Sequence, residues 1–174
     1  MTAHKRTIVF VLVVVLMLAA VPAATAGSST ERPIQEHLIG HGTGMDDSQP
    51  GTTYDGRCSK DALWVSSMAG TGVVSHLGNV TWTTSHCFYP DYSFGDAVLV
   101  ITAANGDKLL GTYSGYMTGM YSMVDTMTIT GGTGRFANAS GVISEHGTFD
   151  PDTFALEVTG KGWISYDASD RAKA

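Results

Sequence analysis

The sequence predicts an all-β domain, an antiparallel β-barrel of about eight strands. Three observations carry this expectation. Beyond residue 26 no stretch has a helical apolar period, and extended segments with alternating or continuous apolar patterning recur there at short spacing. Turn signals separate the segments, with Asn105-Gly106, Gly131-Gly132-Thr133-Gly134 and Pro151-Asp152 the sharpest. Closure follows from the edges: an open sheet leaves unpaired backbone groups that favour aggregation, and a barrel leaves none. A two-sheet sandwich is the alternative architecture, since strand pattern alone does not separate the two.

The most regular patterning lies in residues 123–149. Met123, Asp125, Met127 and Ile129 alternate with Val124, Thr126, Thr128 and Thr130, which suits a strand with one face buried and the other in water. Gly131, Gly132 and Gly134 tolerate the positive φ of a tight reversal, and residues 140–149 resume the extended pattern, so the whole reads as a hairpin. Arg135 in the turn is expected to be structural, its guanidinium tying the turn to a carboxylate or carbonyl. A phosphate cradle would need Gly-Lys-Ser/Thr opening a helix, whereas Arg135-Phe136 leads into a strand.

From the N-terminus, Lys5 and Arg6, an apolar run over 8–21 and Ala24-Thr25-Ala26 form the layout of a secretory signal peptide over residues 1–26. The competing reading of the run is an uncleaved membrane anchor. Cleavage after Ala26 predicts a protein secreted to the extracellular or cell-envelope space, with no stable membrane association. Such a chain keeps eight basic and sixteen acidic residues, a net charge of −8. Without basic clusters it cannot neutralise phosphates, so nucleic acid and anionic membrane surfaces are excluded as partners.

Residues 27–56 are rich in Gly, Ser, Thr, Asp and Pro and are expected to form a flexible leader. His37, His41, Asp46 and Asp47 offer metal-ligand chemistry there, but Gly40, Gly42 and Gly44 argue against a helix presenting both imidazoles, so no metal is expected. Cys58 and Cys87 form an even pair in an oxidising compartment and predict one disulfide; no C-x-x-C pair supports a redox thiol.

The barrel domain is placed at 57–168. Extended segments are expected at 63–68 and 76–85, separated by Ala69-Gly70-Thr71-Gly72, with His76, Gly78, Val80 and Trp82 sharing a face. Residues 96–104 and 108–117 form a hairpin about Asn105-Gly106, the second strand carrying Tyr113 and Tyr116. Residues 153–166 supply the last strand and 169–174 a frayed tail.

The run from Ile129 to Gly141, ITGGTGRFANASG, resembles the "GGTGRF-x-x-A-x-G" segment of the allene oxide cyclase and dirigent barrel superfamily and its small secreted bacterial relatives. Ser75-His76-Leu77-Gly78-Asn79-Val80-Thr81 is similar to their "THLG-x-x-T" strand. The resemblance implies a barrel. For the plant branches it implies cyclisation of an unsaturated fatty-acid epoxide, or stereochemical guidance of a phenoxy-radical coupling.

No G-x-S-x-G, H-E-x-x-H or paired Cys/His zinc spacing is present, so the common hydrolase and metalloenzyme signatures are missing and no cofactor is implied. Ionisable residues that share a strand face with apolar ones are the place to look for function. His76, Trp82, Tyr113, Asp125 and Glu145 are therefore the candidate ligand-binding residues. The leading expectation is a non-enzymatic secreted barrel that binds a small apolar or amphipathic ligand or acts through its outer surface, homo-oligomers included. The alternative is a cyclase-like or dirigent-like protein that shapes cyclisation or coupling of a lipid or phenolic substrate.

Overall fold

Eight antiparallel strands pair in sequence order, and the last returns to the first to close a barrel. The computed structural model describes residues 30–167. The strands are β1 (Glu31–Asp46), β2 (Trp64–Val74), β3 (Gly78–Phe88), β4 (Ser93–Ala103), β5 (Lys108–Met117), β6 (Ser122–Gly132), β7 (Ser140–Phe149) and β8 (Ala155–Ser165). A short 3₁₀ helix, Gly134–Phe136, follows β6. The expected signal peptide and frayed tail lie outside the described residues. Among the described residues, no helix is long and apolar enough to cross a membrane.

Two expectations are corrected. Strand β1 lies inside the stretch assigned to a flexible leader, so the barrel begins at Glu31. Ile34, Glu36 and Leu38 point inward in two-residue steps while Gln35, His37 and Ile39 face out. The pattern was hidden because a carboxylate occupies one inward position and Pro33, Gly40, Gly42 and Gly44 punctuate the rest. The second correction concerns 69–72, which is no turn. Strand β2 runs straight through it, and a Cβ at Gly70 or Gly72 would collide with the β1 backbone, so these glycines serve close strand approach. The reversal falls at 75–77.

The interior divides into a solid half and a hollow half. At one end Ile34, Val74, Ile101, Leu109, Ile129 and Ile164 pack into a continuous apolar core. Phe136 of the 3₁₀ helix is fully buried as its plug. Arg135 fastens that plug: Nη2 donates to the His76 carbonyl at 2.6 Å, and Nε lies 3.5 Å from Asp107 Oδ2. Gly134 has φ +55°, a left-handed conformation that a side chain would strain. Outside the wall, the predicted disulfide joins Cys58 to Cys87 with Cα atoms 5.8 Å apart. It pins the loop before β2 through a small second core with Tyr54 and Ala62.

Candidate binding cavity

The other end of the barrel holds a cavity of about 820 Å³. Its wall comes from inward positions at the mouth-side ends of all eight strands, and it is mostly apolar and aromatic: Met68, Trp82, Phe94, Leu99, Tyr113 and Phe149 are representative. Met45, Tyr92, Met120 and Phe154 at the mouth are exposed apolar side chains. No lysine or arginine lies on the wall among the described residues. Polar chemistry is concentrated at two places.

The first is acidic. One row of register partners crosses five strands as Gly115, Asp125, Glu145, Gly160 and Glu36. The two glycines leave the width that three inward carboxyl groups need; a Cβ at Gly160 would sit 2.6 Å from Glu36 Oε1 and 3.0 Å from Glu145 Cγ. Asp125 and Glu145 face the cavity, and Glu36 is buried just beyond its lining. As three carboxylates, Glu36 Oε1 and Oε2, Asp125 Oδ1 and Glu145 Oε1 would be sealed in protein without a hydrogen-bond donor. A proton on the middle carboxyl relieves part of this, because Glu145 neighbours both Glu36 and Asp125 and its single O–H can be donated to one of them at a time. Burial pushes the carboxyls of Glu36, Asp125 and Glu145 above the usual carboxylate range. Glu145 is raised furthest, because it also bonds to and is repelled by its two acidic neighbours.

The second polar group comes from β3 and β5. His86 Nδ1 lies 2.7 Å from the Tyr113 hydroxyl, which is 3.1 Å from Thr84 Oγ1, itself 2.9 Å from the Val98 carbonyl. Burial, with the nearby Arg57 charge, lowers the His86 pKa to about 4, so the ring is neutral at physiological pH. Burial holds the Tyr113 phenol well above its ordinary range, and it stays protonated.

Of the residues singled out from sequence, Trp82, Tyr113, Asp125 and Glu145 come together on the cavity wall. His76 does not. It sits at φ +68° in the turn between β2 and β3, at the solid end, with Nε2 2.9 Å from the Pro33 carbonyl. The face assigned to His76 was right for Val80 and Trp82; continued by two-residue steps it also reaches Thr84 and His86, both of which line the cavity. Glu36 was missed because its strand was missed. The metal-ligand candidates are separated from this site: His37 faces out and pairs with Glu157 at 2.8 Å.

These features define a class: a closed eight-stranded antiparallel barrel, solid at one end and hollow at the other, with an acidic row facing an aromatic cavity. Among solved structures, the chain is similar to that of the pterocarpan synthase dirigent protein, with a TM-score of 0.51 and 17% identity over 79% of this chain and 89% of that one. The fold is therefore a dirigent-like barrel. No protein-family model matches the sequence, and no curated protein matches it.

Proposed function

We propose that this chain is a dirigent-like protein that holds a small, largely apolar, oxygen-bearing substrate, phenolic or lipid, and shapes its cyclisation or coupling. One observation carries the reading: Asp125 and Glu145 face an apolar cavity of about 820 Å³ whose wall bears no cationic side chain among the described residues. A cavity of this size and character suits an organic molecule held chiefly by apolar contact and oriented by a few polar groups. A carboxyl kept neutral in such a site can donate its proton to an oxygen that gains negative charge as a ring closes or a bond forms. The wall supplies the other half of the work, fixing the reacting atoms in one relative geometry. That the solved neighbour is a synthase favours turnover over simple carriage.

The disulfide is compatible with export, and secretion belongs to this proposal. The test is native mass spectrometry of protein from its own host, followed by a thermal-shift screen of phenolics and unsaturated lipids and chiral analysis of any product. A ligand at a hundred times its dissociation constant stabilises a fold by about 2.7 kcal/mol, which moves the melting temperature by several degrees. The reading predicts such a shift, and product whose yield falls with Glu145→Gln. No bound mass and no shift would overturn it; binding without conversion would leave a carrier.

A further inference from the structure

Only one direction along the chain beside His86 makes all three of its contacts hydrogen bonds at once. Thr84 has a single hydroxyl proton, and the Val98 carbonyl 2.9 Å away can only accept, so the proton lies there. The 3.1 Å contact between Thr84 and Tyr113 must then be donated by Tyr113, which uses that phenol's only proton. The remaining 2.7 Å contact, between Tyr113 and His86 Nδ1, is consequently donated by the imidazole N–H. A neutral ring protonated on Nδ1 carries its lone pair on Nε2. That nitrogen has no hydrogen-bond partner among the described residues, although His86 is 6% exposed and lies on the cavity wall.

From this we infer that His86 Nε2 is a hydroxyl-recognition point, and that the ligand is a neutral molecule presenting an O–H donor to it and an acceptor oxygen to Asp125 or Glu145. The inference rests on the cavity reading above and narrows it. A free carboxylate finds no cation on the wall among the described residues, and an ether or ester offers His86 no proton. The same pairing makes His86 the proton acceptor opposite the carboxyl donors. In a ring closure onto a conjugated carbonyl, the substrate O–H bond breaks and its proton goes to Nε2. The oxygen lone pair forms the new C–O bond, and the carbonyl oxygen takes one proton from Glu145 or Asp125. Substrate and product are isomers, so no oxidant, reductant or co-reactant enters. One proton transfer from imidazolium to carboxylate after release restores the site. With its pKa lowered to about 4 by burial and the Arg57 charge, His86 is neutral before each cycle.

The experiment compares umbelliferone, a neutral hydroxycoumarin, with its methyl ether by fluorescence titration of the full chain. Wild-type protein is expected to bind umbelliferone about tenfold more tightly, the order of one hydrogen bond to a buried acceptor. His86→Phe should abolish that preference and leave binding of the ether in place. Thr84→Val gives a second reading should His86→Phe not fold. Losing Thr84 frees the Tyr113 proton for Nδ1, so Nε2 becomes a donor and the preference disappears. Nitrogen-15 histidine spectra should show a bare Nε2 and a protonated Nδ1 for His86 in the wild type, and the reverse in Thr84→Val. Equal affinities in the wild type, a preference that survives both substitutions, or a protonated Nε2 would overturn the inference while the cavity reading stands. Failure of both probes to bind would overturn the cavity reading and the inference with it.

Discussion

Acid titration of the fold should single out His86. Its ring has a pKa of about 4 in the folded chain because burial and the Arg57 charge disfavour the cation, against about 6.5 for an unperturbed imidazole. Between those values the unfolded chain binds a proton that the folded chain refuses, so stability falls as pH falls through this window. Linkage with these two pKa values gives a loss of about 2 kcal/mol by pH 5 and about 3 kcal/mol by pH 4, with almost none at pH 7. Against a typical domain stability of roughly 5–15 kcal/mol the effect is large. Urea unfolding at several pH values, comparing wild type with His86→Gln at matched m-values, reads it directly. The wild-type curve should fall away from that of His86→Gln on acidification. Parallel curves across the window would refute the claim that a buried neutral imidazole lines the cavity.

Three further outcomes follow. The carboxyl row acts with the opposite sign: its raised pKa values mean that stability is fully present below the ordinary carboxylate range and is lost as pH rises through them, so Glu145→Gln should flatten that loss in melts at weakly acidic and alkaline pH. Gly160→Ala should cost about 1–3 kcal/mol in urea unfolding, because its Cβ would sit 2.6 Å from both Glu36 Oε1 and Ile143 Cγ2. Replacing Cys58 and Cys87 together with serine should cost about 3.6 kcal/mol by chain entropy for a separation of 29 residues, measured as a lower denaturation midpoint with the barrel retained.

Much of this architecture was legible in the chain, and the reasons are specific. Strands β5 and β7 begin where the sequence patterns begin, since Asn105-Gly106 and the glycine turn come just before them. Asp125 and Glu145 were found because each interrupts an apolar face in strict alternation. Strand β1 was lost for the same reason run in reverse: its inward face carries Glu36, whose place in the interior makes sense only beside Glu145, a partner 109 positions away in the chain. His76 misled because Leu77 and Gly78 look like strand continuation, whereas the reversal sits on His76 itself. Sequence separation also conceals the His86, Tyr113 and Thr84 chain, which joins β3 to β5 across the barrel interior rather than along the sheet.

The central claim is that the buried carboxyl row holds a proton on Glu145 beside the cavity. Infrared difference spectroscopy between wild type and Glu145→Gln at neutral pH tests it without any substrate. The account predicts a protonated-carboxyl C=O stretch in the wild type that Glu145→Gln loses, and that shifts when umbelliferone fills the cavity. A difference spectrum containing only ionised-carboxylate bands would contradict it.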